Sequence, residues 1–96
     1  MDKILYLSNL FDYYGELLTQ KQQTYFKDYY FNNLSLAEIA ENENISRNAV
    51  HKQIKDAENK LTYYEKILKQ YQNSLKIKKL LTKVDPKIKG QIEELL

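Results

Sequence analysis

Six polar residues lie together near the middle of this sequence, at spacings that bring most of them to one side of a helix. They are Ser46, Arg47, Asn48, His51, Lys52 and Lys55. At about 100° per residue they lie opposite or beside an apolar stripe that begins at Val50 and Ile54. Lysine and arginine bind phosphates, and asparagine, arginine and histidine can hydrogen-bond to base edges. The pattern predicts a nucleic-acid contact face, with an ordinary solvated helix face as the alternative.

Catalytic chemistry has little support in this sequence. His51 is the only histidine, and no carboxylate stands at helical spacing to orient it. We find no phosphate-cradling glycine loop, no nucleophile motif and no paired histidines for a metal ion. The chain has no cysteine, so thiolate metal sites and disulfides are excluded. We therefore expect a protein that is not an enzyme and that needs no cofactor or metal.

The elements that must position the polar face are two helices and a short turn over residues 35–61. Ser35 with Glu38 forms a capping box for the first helix, and Ser46 is an N-cap for the second. The residues at 42–44 tolerate turn or left-handed backbone. A small residue, Ala40, stands where the helices would cross. This combination predicts a helix-turn-helix, whose second helix can enter a DNA major groove.

The remainder of the sequence also predicts helices. One helix covers residues 3–14, with Gly15 as its C-terminal stop. A capping box of Thr19 and Gln22 opens another helix, which extends to about residue 31. Its expected inward residues are Phe26, Tyr29 and Tyr30. We thus predict an all-α helix-turn-helix bundle over residues 1–62 and a long C-terminal helical extension over residues 63–96.

An apolar seam at alternating spacings of three and four residues continues from Val50 to Leu75. More than three heptads favour a coiled coil. The helix either bends near residues 70–73 and folds back onto the N-terminal helix, or meets a second copy of the chain. Self-association is favoured, so we expect a homodimer.

The C-terminal extension contains a lysine-rich segment and a second helix start. The expected buried residues of the segment are Ile77, Leu80, Leu81 and Val84. Its lysines form a solvated face that can also approach phosphates or an acidic protein. Asp85 followed by Pro86 begins a final short helix. The nine tyrosines of the chain recur at helical spacing, which favours packing between helices over base stacking.

Length and charge limit the remaining possibilities. Ninety-six residues make one small domain. No stretch approaches the roughly 20 apolar residues that span a bilayer, and no signal segment is evident, so we expect a cytoplasmic protein. Residues 1–45 carry three lysines against seven acidic residues, whereas residues 46–96 carry twelve basic against six acidic residues. The second half is therefore the half suited to a polyanion.

Three sequence blocks resemble a known family. They are L-T-Q-K-Q-Q-T-Y-F-K-D-Y-Y-F-N-N-L-S-L-A-E-I-A-E, I-S-R-N-A-V-H-K-Q-I-K and L-T-Y-Y-E-K-I-L. Across about residues 5–75 the chain resembles the YlxM-like family of small helix-turn-helix proteins of Gram-positive bacteria and mollicutes. The motif itself is similar to region 4 of sigma factors, which binds promoter DNA. Two departures are that Asn44 stands where sigma region 4 usually has glycine, and that the lysine-rich segment lies outside the matching blocks.

The resemblance implies an all-α fold and a regulatory role. It also implies a link to the signal recognition particle pathway, because family members are typically encoded beside the gene for its GTPase. The sigma-like contact positions fall on the same six residues, from Ser46 to Lys55. Our leading hypothesis is a DNA-binding regulator, with DNA favoured over RNA. The alternative is a protein- or RNA-binding accessory of the signal recognition particle GTPase that does not bind DNA.

Overall fold

The structure, a computed structural model, describes residues 2–96, and all regular elements in that range are helices. Its elements are α1 (Lys3–Tyr14), a 3-10 turn (Gly15–Leu17), α2 (Gln20–Tyr30), α3 (Leu36–Glu43), α4 (Arg47–Leu68), α5 (Gln70–Leu81) and α6 (Pro86–Glu93). The predicted all-α helix-turn-helix bundle with a C-terminal helical extension is confirmed. None of the helices described is long and apolar enough to cross a membrane.

Five of the six α-helices in the described residues begin where the sequence predicts, because their caps are local. The Gln22 amide donates to the Thr19 hydroxyl at 3.2 Å, and the Gln22 side chain accepts from the Thr19 amide at 3.1 Å. Ser35 and Glu38 form the same reciprocal pair, with both distances at 3.1 Å. Each box satisfies two backbone donors that a helix start leaves without partners. Both predicted capping boxes are confirmed.

Helix α4 is the centre of the bundle. One buried cluster joins it to α1 and α2, and consists of Leu7, Leu10, Tyr14, Leu18, Phe26, Ala57 and Leu61. A second cluster joins it to α2 and α3, and consists of Tyr25, Ile39, Ala40, Val50 and Ile54. Both clusters use the same apolar stripe of α4. The opposite side of its N-terminal half is therefore left to solvent.

One local prediction in the first half is confirmed and another is wrong. Helix α1 ends at Tyr14 with Gly15 as its C-cap, as predicted; the glycine is not left-handed, since its φ is −56°, and it begins the 3-10 turn. A side chain there would meet the Phe11 ring, whose nearest atom is 3.0 Å from the Cβ position, so glycine permits a close approach instead. Tyr29 is 38% exposed, because Gln22, Tyr25 and Phe26 fill the inward side of α2.

The long seam does not form one straight helix. Helix α4 ends at Leu68, and the next residue, Lys69, is a left-handed C-cap with φ 56° and ψ 27°. Helix α5 then folds back onto α1, where the Tyr71 ring lies 5.9 Å from the Tyr6 ring and its hydroxyl accepts from Asn9 at 3.1 Å. The chain thus adopts the alternative in which the seam bends and folds back onto the N-terminal helix. Self-association stays a prediction.

A buried carboxylate shapes this break between α4 and α5. Glu65 is only 7% exposed and accepts hydrogen bonds from the Tyr14 hydroxyl at 2.7 Å and from the amides of Tyr71 and Gln72 at 3.1 and 2.9 Å. The Tyr14 hydroxyl in turn accepts from the Gln70 amide at 2.9 Å. Side chains of α4 and α1 therefore cap α5, and the negative charge lies at the favourable end of its dipole. Burial, with the hydrogen bond to Glu65 as the next cause, raises the pKa of Tyr14 to about 12.

The end of the extension is sparsely packed. Leu81 is buried, as predicted, but Leu80 is 65% exposed, so its predicted burial is wrong. Asp85 caps α6 by accepting from the Lys87 amide at 2.9 Å, and Pro86 is its first residue, as predicted. Helix α6 has no buried residue. The predicted division of the chain between residues 62 and 63 falls inside α4 and stays a prediction.

Candidate nucleic-acid interface

The structure brings the six predicted contact residues onto the N-terminal half of α4. Ser46 is the N-cap, and the other five follow within the first nine residues of the helix. All six are exposed, because α1, α2 and α3 pack on the opposite stripe. None of the described part of the chain covers this face. Their role as nucleic-acid contacts stays a prediction.

The turn before α4 sets the direction of this face. Asn44 is left-handed, with φ 56° and ψ 46°. The Ile45 amide donates to the Ala40 carbonyl at 3.0 Å, which closes the end of α3. Asparagine tolerates this conformation better than most residues, so it can replace the glycine expected from sigma region 4. Ser46 then accepts from the Ala49 amide at 3.0 Å and starts α4.

The cations of the face differ in how they are paired. Lys52 forms an ion pair with Asp56 at 3.0 Å, four residues along the helix. Lys55 lies 3.7 Å from a carboxylate oxygen of Glu58. Arg47 has no ion pair with any residue in the described part of the chain. The pair of Lys52 and Asp56 is exposed, and such pairs contribute about 0–1 kcal/mol, so a phosphate can replace Asp56 at small cost.

The sequence prediction missed one residue beside the face. Lys3, on α1, places its ammonium 3.6 Å from the same Glu58 oxygen that Lys55 approaches. The other Glu58 oxygen accepts from the Tyr30 hydroxyl at 2.7 Å. Burial, followed by this hydrogen bond, raises the pKa of Tyr30. Helical spacing shows that Lys55 and Glu58 are neighbours, but no sequence signal places Lys3 beside them.

A cavity lies away from the six-residue face and does not resemble a catalytic site. Its volume is about 380 Å³, and it lies between α1, α4 and α5. The carboxylate in its lining, Glu65, already accepts three hydrogen bonds. It is therefore engaged in capping α5 and is poorly placed to act as a general base.

Comparison with known proteins places the chain in a family. A family model described as "UPF0122: Putative helix-turn-helix protein, YlxM / p13 like" matches residues 1–95. The chain belongs to this family. The match extends through the lysine-rich segment, which the sequence blocks alone had left outside the resemblance. The predicted YlxM-like resemblance is confirmed, and the link to the signal recognition particle stays a prediction.

Relatives from several bacteria agree with this assignment, and each carries only the family name. A UPF0122 protein of Malacoplasma penetrans is 54% identical over 63 residues, covering 66% of this chain and 59% of the relative. One of Fusobacterium nucleatum is 42% identical over 84% of this chain and 79% of the relative. One of Bacillus velezensis is 38% identical over 98% of this chain and 86% of the relative. The similarity to the first of these thus spans less than two thirds of that protein's length.

Proposed function

We propose that this protein is a non-catalytic, cytoplasmic regulator that binds double-stranded DNA through the N-terminal half of α4. One observation carries the proposal. The six residues from Ser46 to Lys55 form an exposed face on the second helix of a helix-turn-helix, and the rest of the bundle packs on the other side. A helix presented in this way can enter the major groove with its first turns.

The residue types on the face suggest a division of roles. Arg47, Lys52 and Lys55 bind phosphates, and Asn48 and His51 hydrogen-bond to base edges. Ser46 accepts from the Ala49 amide as the N-cap, which leaves its hydroxyl proton available to a phosphate oxygen. Phosphate contacts supply most of the affinity, whereas the two base contacts supply sequence preference.

A homodimer completes the proposal. The net charge of one chain is only +2, so a single copy has few cations to spare for a duplex. Two copies double the number of phosphate contacts and read two half-sites. Exposed apolar side chains near the break in the seam, such as Leu68 and Leu75, offer a surface for pairing. Sedimentation equilibrium measures this association directly.

The decisive experiment replaces Lys52 and Lys55 together with alanine. Binding is measured by fluorescence anisotropy over a salt series, on a duplex pool selected with the wild-type protein from a random library. We expect weaker binding and a log–log salt slope that is flatter by about 2 for each bound chain, or by about 4 for the proposed dimer, since each lost phosphate contact removes roughly 0.9. Unchanged binding would show that this face is not the contact surface.

The matched control replaces Lys79 and Lys89 on the C-terminal extension. Lys89 lies 3.9 Å from Glu93 at the same helical spacing as Lys52 and Asp56, so the control removes equal charge from a similar setting. We expect the control to retain the wild-type slope. A loss of binding in the control alone would place the contact on the extension and contradict the proposal.

The second candidate is a protein- or RNA-binding accessory of the signal recognition particle GTPase. The exposed and lysine-rich extension favours it, since Leu80 and Leu95 are 65% and 86% exposed and α6 has no buried residue. A pull-down, with sequencing of bound nucleic acid and mass spectrometry of bound protein, separates the two functions. Recovery of the GTPase without DNA would favour this candidate and overturn the first.

A further inference from the structure

A small cavity lies beside the contact face, where the N-terminus of α1 meets α4. Its volume is about 170 Å³. Three helices supply its polar lining, which consists of Lys3 from α1, Tyr29 and Tyr30 from α2, and His51, Lys55 and Glu58 from α4. Two of these residues, His51 and Lys55, belong to the six-residue face. The cavity therefore continues that face toward α1.

A fixed carboxylate gathers the cations of this cavity. Glu58 is 9% exposed, and the Tyr30 hydroxyl holds one of its oxygens at 2.7 Å. Its other oxygen lies 3.6 Å from the Lys3 ammonium and 3.7 Å from the Lys55 ammonium. One oxygen thus brings together two lysines from helices that are remote in sequence.

These two lysines retain their capacity to bind an anion. Both distances to Glu58 exceed the usual range of a hydrogen bond, about 2.7–3.2 Å, so the pairs are Coulombic contacts. Each ammonium has three donors. The side chains of Lys3 and Lys55 are 68% and 52% exposed, so these donors are open to solvent.

The charge balance indicates the kind of ligand. Two ammonium groups and one carboxylate leave one positive charge. His51 can add a hydrogen-bond donor from one ring nitrogen, while its other ring nitrogen accepts from a base edge. A phosphodiester carries one negative charge and has oxygens that accept several donors at once. We infer that Lys3, His51 and Lys55 form a binding site for a phosphate group, which a backbone phosphate of the DNA occupies in the complex. This inference rests on the proposed function for the source of the phosphate.

Lys3 is the test residue, because it lies outside the helix-turn-helix and outside the six-residue face. We expect Lys3→Ala to flatten the log–log salt slope by about 0.9 for each bound chain, or by about 1.8 for the proposed dimer. Raising the salt from about 50 to about 200 mM should then weaken its binding roughly threefold less per bound chain than that of the wild type. Lys3→Arg keeps the charge and should restore the wild-type slope.

Lys21→Ala is the matched control. Lys21 is an exposed lysine of the same acidic half of the chain and is not part of the cavity lining. We expect this variant to keep the wild-type slope. Circular dichroism and thermal unfolding confirm that each variant is folded. Equal slopes for wild type, Lys3→Ala and Lys21→Ala would show that no DNA phosphate occupies the site and would overturn that part of the inference. Loss of binding in the Lys52 and Lys55 double variant would meanwhile leave the proposed function standing.

A second arm separates the phosphate site from DNA binding. Inorganic phosphate is titrated into the wild-type protein and into Lys3→Ala, and the His51 ring and backbone amide signals are followed by nuclear magnetic resonance. A phosphate site is supported if the signals around Lys3, His51 and Lys55 shift saturably in the wild type and do not shift in Lys3→Ala. This result would hold even if the wild type failed to bind any duplex. In that case a free phosphorylated ligand is the source, and the DNA proposal alone fails. Equal salt slopes for the wild type and Lys3→Ala, together with no phosphate-induced shift, would overturn the site itself.

Discussion

The two junctions that flank α4 look alike in the backbone and differ in what holds them. Each contains a non-glycine residue in the left-handed region, Asn44 before α4 and Lys69 after it, both with φ 56°. At the first junction Ser46 caps the next helix from within the turn. At the second, Lys69 provides no side-chain cap, and Glu65 and Tyr14 satisfy the first amides of α5.

This difference separates local from tertiary control of the helix directions. The helix-turn-helix junction depends on residues that are neighbours in sequence, so its geometry follows from the chain itself. The direction of the extension depends on a contact between Tyr14 and Glu65, which are 51 positions apart. We therefore expect the effect of a substitution at the second junction on stability to depend on how α1 packs against α4.

The largest expected effect comes from removing the two capping side chains and comparing them. Glu65→Ala should lower the free energy of unfolding by about 3 kcal/mol, because two amides and a buried hydroxyl lose their acceptor. Ser46→Ala should cost about 1 kcal/mol, as for an exposed N-cap. Urea unfolding followed by far-ultraviolet circular dichroism measures both, with exposed Glu94→Ala as the control. A larger cost for Ser46→Ala would reverse the comparison.

Tyr14→Phe should have an intermediate effect and lower the free energy of unfolding by about 1–2 kcal/mol. The Tyr14 hydroxyl both donates to Glu65 and accepts from the Gln70 backbone amide, and phenylalanine can do neither. This substitution also has a pH signature. The pKa of Tyr14 is raised from 10.0 to about 12 in the folded protein, chiefly by burial and then by the hydrogen bond to Glu65.

The sign of that signature follows from linkage. A raised pKa means that the folded state holds the proton more tightly, so the contribution is fully present below pH 10 and is lost as the pH rises through about 12. The free energy of unfolding of the wild type should fall between pH 10 and about pH 12, and that of Tyr14→Phe should fall less steeply. Tyr6, Tyr25 and Tyr30 also have a raised pKa and retain part of the slope. Exposed Tyr63→Phe is the control, and an unaltered slope in Tyr14→Phe would count against this account of the junction.

The smallest effect compares the two left-handed residues. Lysine is strained in this region, where most residues pay about 1–2 kcal/mol, whereas asparagine is tolerated. Lys69→Gly should therefore raise the free energy of unfolding by roughly 0.5–1 kcal/mol, after subtracting the greater conformational entropy that glycine loses on folding. Asn44→Gly should change the free energy of unfolding by only a few tenths of a kcal/mol. At about 4–8 °C per kcal/mol for a domain of this size, thermal unfolding resolves the difference. Equal shifts in melting temperature for the two variants would show that the left-handed conformation costs lysine no more than asparagine.

Sequence-based prediction succeeded where the controlling interactions are local. The capping boxes at Thr19 and Ser35, the cap at Ser46 and the apolar stripe from Val50 to Leu61 were all predictable, because each depends on residues within about four positions. Prediction failed at Tyr29 and Leu80, since helical spacing cannot show which of several apolar residues meets a neighbouring element. The six predicted residues do lie on one exposed face of α4, because helical spacing sets their side of the helix, and their role as nucleic-acid contacts stays a prediction.

By itself, the sequence determined that the chain is helical, where most of its helices begin, and which side of α4 carries the polar residues, because caps and amphipathic spacing act over a few neighbouring positions. Only the tertiary structure decided that the long seam breaks at Lys69 and that Lys3 joins His51 and Lys55 around one cavity. Both features depend on a buried carboxylate, Glu65 or Glu58, that meets a hydroxyl from a distant helix, and the position of that hydroxyl is set by the packing of the core.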